Sequence, residues 1–361
     1  MKFGMFTVPI SIEYAEGRET AKEVIDWDLQ QAEWADQAGI DEMYFAEHYT
    51  LGHEPSPSPD AMIAAASQRT QQIKLGAMAH LLPYHNPVSL AFRSMWLDHM
   101  TGGRYIAGFA PGAYASDAQL FGTGKNNARM LAEGLDVVDA IWTRKGPFTI
   151  DGEFYKVDMP AYDEAIAGPH LTPLQSPRPT VLMTGMSPNS GTLAEAGRRG
   201  FAPVSQQVRT EILKTHWDTF EKAATSAGHT PDRSQWRVVR DFFVADTDAE
   251  AREIALNSGL ARIWEGYLLP SFKKLGLFPF LVGDTPEEEV NIEYLVDNFF
   301  FVGSPETVAG KVRALYEELG GFGYLCFSGG PYQDAIPAYK RHLELSSGKL
   351  RELLSDLDGN S

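Results

Sequence analysis

His48 closes the run Phe45-Ala46-Glu47-His48 and is the side chain best placed for acid–base chemistry. An imidazole at a strand end can donate to or accept from a reacting oxygen near neutral pH, where its proton comes and goes. A purely structural histidine would look the same in sequence. The next candidates are small residues. Gly76-Ala77-Met78-Ala79 and Gly108-Phe109-Ala110-Pro111-Gly112-Ala113-Tyr114 lack bulk where a flat ligand would approach the backbone, although tight turns need the same composition. A third segment, Thr184-Gly185-Met186-Ser187-Pro188-Asn189-Ser190-Gly191, runs into the helical Leu193-Ala194-Glu195-Ala196. With Ser187 as cap and Pro188 in the first helical position, free amides would face the strand end and could hold a phosphate. Capping without a ligand accounts for the same residues.

Other chemistries find no footing. Gly122-Thr123-Gly124-Lys125 is followed by Asn126, so the Walker spacing fails, and no GxGxxG follows a strand. No lysine stands at a strand end to form a Schiff base, and His80 with His85 is too small a set to imply a metal. The chain carries 31 basic and 48 acidic residues, a net charge of −17, which argues against nucleic-acid binding. Its one cysteine, Cys326, excludes an internal disulfide framework and suits a reducing cytoplasm. No apolar run reaches the roughly 18 residues of a membrane span, and Met1–Val8 enters a strand pattern rather than a signal peptide. The expectation is a complete cytoplasmic protein.

The elements that must position these residues alternate. Apolar or β-branched runs near 2–8, 42–48, 73–82, 105–111, 180–186, 201–206, 237–245 and 322–328 are each followed by a stretch of helical period. Ala21, Ile25, Leu29, Ala32 and Ala35 mark one such helical face, with Gly39 as its stop. Parallel βα units in this number close into a (β/α)8 TIM barrel of class α/β, whose chemistry sits at the C-terminal strand ends. Length and 43% hydrophobic content suffice for one such domain over 1–361. Two stretches exceed a plain barrel. Residues 144–179 read as a hairpin followed by a proline-rich excursion, and 258–300, rich in Trp264, Tyr267, Phe272 and Phe278, as a lid, a flank cover or a dimer contact.

Taken together, these segments resemble the bacterial luciferase-like flavin monooxygenase family from Met1 to about residue 330. The resemblance rests on Glu47-His48, Leu75-Gly76-Ala77-Met78-Ala79, Asp98-His99-Met100-Thr101-Gly102-Gly103-Arg104, Phe121-Gly122-Thr123, Asn126-Asn127-Ala128-Arg129 and Gly303-Ser304-Pro305-Glu306. Within the family, Met78-Ala79-His80-Leu81-Leu82-Pro83-Tyr84-His85-Asn86-Pro87 looks most like the diketocamphane monooxygenases, type II Baeyer–Villiger enzymes, with limonene-type monooxygenases as neighbours.

The resemblance implies non-covalent FMN, delivered reduced by a separate flavin reductase. Its ring would lie against Ala77, Met78, Ala79 and Ala110, and its phosphate near Arg129 and the turn containing Gly185, Met186, Ser187 and Ser190. It also implies a non-proline cis peptide at Met78-Ala79. Where luciferase has a phosphate-binding arginine after strand four, this chain has Pro111, which cannot donate. His48 would be catalytic, and Tyr114, Trp264 and Tyr267 would border the substrate. The implied reaction joins O2, reduced FMN and a hydrophobic ketone, or hydroxylates or epoxidises a terpene-like substrate, in a homodimer. A deazaflavin-dependent oxidoreductase and a flavin-binding protein without catalysis are the competing readings.

Overall fold

The computed structural model describes residues 1–7, 9–168 and 170–359. Val8, expected as the last residue of the first strand, and Pro169, in the proline-rich excursion, lie outside them. Eight parallel strands carry the fold: β1 Lys2–Thr7, β2 Glu42–Phe45, β3 Lys74–Ala77, β4 Tyr105–Ala110, β5 Thr180–Gly185, β6 Ala202–Ser205, β7 Arg237–Val239 and β8 Tyr324–Gly329. Their order is β3-β2-β1-β8-β7-β6-β5-β4, and pairing of Leu75 with Tyr105 and of Gly76 with Ile106 closes the ring. This is the expected (β/α)8 barrel.

The helices follow from local chemistry. Ala21–Ala38 begins with a reciprocal capping box between Thr20 and Glu23 and ends at Gly39, whose φ of 89° is left-handed. Ser304 caps Pro305–Leu319 by accepting from the Thr307 amide. Among the described residues no helix is long and apolar enough to cross a membrane.

Two expected strands are broken. The run 73–82 stops at Ala77, passes the cis peptide Met78-Ala79, and resumes as His80–Leu81, which pairs with Phe109 and Ala110. The run 237–245 leaves the barrel after Val239; Phe242–Val244 pairs instead with Phe301–Gly303. Arg240 and Asp241 turn the chain between them. The Arg240 guanidinium donates to the Val208 carbonyl at 2.8 Å, and Asp241 accepts from the Ser328 amide at 2.8 Å.

Barrel-interior side chains include Tyr44, Ile106, Leu182, Val204 and Cys326. At the N-terminal end a buried ion pair crosses the barrel. Arg237 donates to Glu42 through Nε at 3.1 Å and Nη2 at 2.9 Å, stacks over Tyr324 at 3.8 Å, and Tyr44 donates to the same carboxylate. Burial opposes the Arg237 charge, but Glu42 more than compensates and holds it protonated. Burial pushes the Cys326 thiol well above its ordinary range, so it stays protonated.

The 144–179 stretch contains the expected hairpin, Phe148–Asp151 against Lys156–Met159. Its return is anchored by Asp98, which accepts from the Leu174 and Gln175 amides at 2.8 and 2.9 Å. Residues 258–300 form short helices around a π-turn, Trp264–Leu268. Trp264, Leu269, Phe278 and Leu281 are buried among them, which fixes the segment over the C-terminal end of the barrel.

Candidate active site

A cavity of about 510 Å³ opens where the strands end. Its floor is Phe6, Met78, Ala79, Ala110, Gly185 and Val239, from β1, β4, β5, β7 and the turn after β3. Leu260, Ile263, Trp264, Leu268, Phe272 and Leu277 form an apolar roof in which Ser271 is the polar member. Among the described lining residues there is no lysine or arginine.

His48 reaches the cavity because the loop after β2 folds back on itself. Its amide donates to the Ser56 carbonyl at 2.8 Å, while the Ser56 hydroxyl donates to the Ala46 carbonyl at 2.7 Å. The fold-back brings Glu54, only 3% exposed, beside the imidazole, with Oε2 3.1 Å from Nε2. Nδ1 of His48 is buried and has no hydrogen-bond partner. The other Glu54 oxygen accepts from the Tyr267 hydroxyl at 2.8 Å, and Tyr114 meets the His48 ring edge-on at 5.4 Å. Burial first, and the Glu54 charge second, push the Tyr114 phenol up to about 12 and raise that of Tyr267, so both are neutral.

Glu47 points the other way. It accepts from Tyr49 at 2.6 Å, from the Leu81 amide at 3.2 Å and from His85 Nε2 at 2.8 Å, with His80 Nδ1 3.7 Å away. Burial alone would raise its pKa, but the two imidazoles outweigh that and hold it down at about 2. Glu47 therefore pins the segment just after the Met78-Ala79 peptide.

Glu47, His80 and His85 have ligating atoms within 4.8 Å of one another. Arg93 Nη2, however, lies 3.2 Å from His85 Nδ1 and makes that nitrogen the acceptor. The proton then sits on Nε2, facing Glu47, where a metal would need a lone pair.

The turn after β5 departs from the expected cap. The helix is Gly191–Arg199 and its N-cap is Ser190, not Ser187; Pro188 lies in the preceding turn. Gly185 permits the tight passage, because a Cβ there would come within 2.6 Å of Leu193 Cγ and 2.8 Å of Ser190 Oγ. Thr184, Ser187, Ser190 and Thr192 line the cavity with hydroxyls. A buried chain holds the turn from behind. Trp236 donates to Ser205 Oγ at 2.9 Å, Ser205 lies 3.0 Å from His216 Nδ1, and His216 Nε2 lies 2.9 Å from the Ser187 carbonyl. Since a carbonyl only accepts, the His216 proton is on Nε2 and Ser205 donates to Nδ1. Burial keeps this ring neutral, with its pKa lowered to about 4.

Of the residues singled out from sequence, His48, Met78, Ala79, Ala110, Tyr114, Gly185, Met186, Ser187, Ser190 and Trp264 line the cavity. Ala77 lies in β3, with its carbonyl packed towards Gly108. Tyr267 stands behind Glu54 and stacks on His53 at 4.4 Å. Arg129 is not a lining residue; its guanidinium pairs with the exposed Glu153 and lies over the Phe154 ring at 5.2 Å. Sequence reasoning did not find Glu54, Gln206 or Gln207. The two glutamines directly follow β6 and could have been found by their place, whereas Glu54 lies in a loop without a periodic signal.

A (β/α)8 barrel with one histidine between a hydroxyl-rich turn and an apolar roof defines a class of oxidoreductase. The sequence pattern of the luciferase-like monooxygenase family matches residues 1–322. The chain belongs to that family and is a flavin-dependent monooxygenase. It is 39% identical over 343 residues to 2,5-diketocamphane 1,2-monooxygenase 2 of Pseudomonas putida, covering 90% of this chain and 91% of that one. It is 36% identical over 356 residues to 3,6-diketocamphane 1,6-monooxygenase of the same organism, covering 92% and 94%. The solved oxygenating constituent of 3,6-diketocamphane monooxygenase, a type II Baeyer–Villiger enzyme in complex with FMN, superposes with a TM-score of 0.89 at 35% identity, covering 97% of each chain.

The neutral burial of His216 sets a pH dependence. Its folded pKa lies below the unfolded value near 6.5, so the unfolded chain binds the proton more tightly. Stability should be complete above about pH 6.5 and fall as pH drops towards 4, by about 3 kcal/mol from this group. His342, lowered by burial to about 3, adds a second limb of the same sign. Urea midpoints measured from pH 8 to 4 should therefore decline less steeply in His216→Gln, whose amide can still donate to Ser187. An equal slope in both proteins would show that folding does not lower the pKa of this ring.

Proposed function

We propose that this chain is the oxygenase component of a two-component system that converts a hydrophobic, bicyclic or monoterpene-like ketone to a lactone. One atom of O2 enters beside the carbonyl and the other leaves as water, with reduced FMN supplying the two electrons and leaving oxidised. A separate reductase would deliver the flavin by diffusion. The names of the diketocamphane relatives support the substrate class. The observation that carries the reading is the division of the cavity into a hydroxyl-lined turn on one side and an apolar roof on the other, with His48 between them.

The residues fit FMN. The amides of the Gly191–Arg199 helix and the hydroxyls of Ser187, Ser190 and Thr192 suit a phosphate, and Ala79 and Ala110 leave a shallow floor for a ring system. When bound, the flavin supplies electrons and activates oxygen; the protein positions it, excludes water and places a proton. We read His48 as the group at the reacting oxygen, Tyr114 and Trp264 as the substrate border, Tyr267 as standing behind that border against Glu54, and 258–300 as the lid.

With isotopically labelled O2, reduced FMN and a panel of bicyclic ketones, the product should carry one labelled atom. His48→Ala should release most of the electrons as hydrogen peroxide. Turnover only with reduced deazaflavin, giving unlabelled product, would sink the assignment.

We also assign Arg129 to the phosphate. Its surface pair with Glu153 is worth no more than about 1 kcal/mol, so exchanging a carboxylate for a phosphate dianion costs little. Anaerobic titration should show Arg129→Ala weakening reduced-FMN binding by about 1.5–3 kcal/mol, the range of a charge-assisted hydrogen bond. Equal affinities remove Arg129 from the site.

The helix Pro87–Met100 presents Trp96, 60% exposed, and Met100 beside Pro57, Ala61 and Ala64, a patch that suits a homodimer contact. A dimer by sedimentation that becomes a monomer in Trp96→Glu supports it; a monomeric wild type refutes it. A cytoplasmic setting accords with the single reduced thiol, and recovery of the protein in the soluble cytoplasmic fraction of fractionated cells tests it.

A further inference from the structure

We propose that Glu54 is the positioning residue of this site: held by Tyr267 from the roof, its carboxylate fixes the His48 proton on Nε2 and leaves Nδ1 as a lone-pair acceptor. The inference rests on the monooxygenase reading for its consequence but not for its geometry.

Glu54 is almost completely buried, and a buried carboxylate needs donors. One oxygen has Tyr267, whose phenol is neutral and donates at 2.8 Å. The other oxygen, Oε2, has no hydrogen-bond partner among the described residues and lies 3.1 Å from His48 Nε2, an approach short of hydrogen-bond geometry. At that distance a lone pair on Nε2 is repelled by the carboxylate, whereas a proton there is attracted to it. The neutral ring must therefore carry its proton on Nε2, and Nδ1, also without a partner, becomes the acceptor. Glu47, though adjacent in sequence, cannot compete for this role because its oxygens are engaged by Tyr49, the Leu81 amide and His85.

The arrangement also ties chemistry to the roof. Tyr267 belongs to the π-turn Trp264–Leu268, so seating of that turn against His53 adds the side-chain contact that orients the Glu54 carboxylate, while the loop after β2 holds its backbone. Proton placement on His48 then reports that the cavity is covered, a condition for using electrons on substrate rather than losing them to solvent.

The test uses the flavin-free protein with 15N-labelled histidine. At a pH where the His48 ring is neutral, its nitrogen resonances should show the Nε2–H tautomer in the wild type and a mixture in Glu54→Gln, with Glu54→Asp restoring part of the preference. Tyr267→Phe, which keeps the ring in the roof, should also mix the tautomers. In the loaded enzyme, lactone formed per reduced FMN should fall ~10-fold in Glu54→Gln, the scale seen when an orienting partner is lost. A wild-type ring protonated on Nδ1, or a tautomer unchanged by both substitutions, overturns the proposal; the wild-type spectrum decides even if Glu54→Gln does not fold. The expected tautomers together with no labelled oxygen in any ketone would support the positioning role and overturn the activity instead.

Discussion

Closing the barrel forces β3 and β4 so near each other that a side chain on residue 108 has nowhere to begin. A Cβ built on Gly108 would lie 1.9 Å from the Ala77 carbonyl oxygen, and one on Gly76 would lie 2.8 Å from the Ile106 carbonyl. Backbone cannot yield as a flexible side chain can, so glycine is required at both places. Everything at the cavity floor follows from this approach. The chain leaves β3 through Met78-Ala79, returns to pair His80 with Phe109 and Leu81 with Ala110, and leaves two alanines facing the cavity. The small residues there serve strand contact first and ligand access second.

Three buried glutamates show how differently one side chain type can be used. Glu42 is gripped by the Nε and Nη2 edge of the Arg237 guanidinium and by Tyr44, and crosses the barrel as a fixed polar layer. Glu47 is saturated by phenol, amide and imidazole and anchors backbone. Of the three, Glu54 keeps an oxygen with no hydrogen-bond partner among the described residues, 3.1 Å from a ring nitrogen at the cavity wall. A satisfied buried carboxylate specifies structure, while an under-satisfied one directs a proton.

The barrel was legible because each strand is a short apolar run and each covering helix has its own stop signal, as at Gly39. Breaks within strands were not. The run 237–245 is apolar on both sides of Arg240-Asp241, and nothing local says that these two residues turn the chain towards Phe301–Gly303. The helix after β5 was displaced by one turn because Ser187 and Ser190 both qualify as caps and the choice depends on how His216 holds the Ser187 carbonyl. His48 could be singled out by its position at a strand end. Its partner Glu54 could not, since their meeting depends on a loop folding back through Ser56. Arg129 shows the converse: a motif gives a side chain's place on a helix but not the charge it pairs with, which here is Glu153.

The burial of Cys326 bears on how such a protein wears out. Any oxygen chemistry that misfires in the cavity yields an oxidant within the barrel mouth, and the chain's one thiol is sealed in the barrel interior, kept protonated and therefore unreactive. The thioethers of Met78 and Met186, in contrast, line the cavity itself. Oxidative ageing should then be a matter of sulfoxides in the cavity lining and not of cysteine, a lesion that methionine sulfoxide reductases can reverse. Its first effect would be a polar oxygen lodged in an otherwise apolar part of the cavity wall.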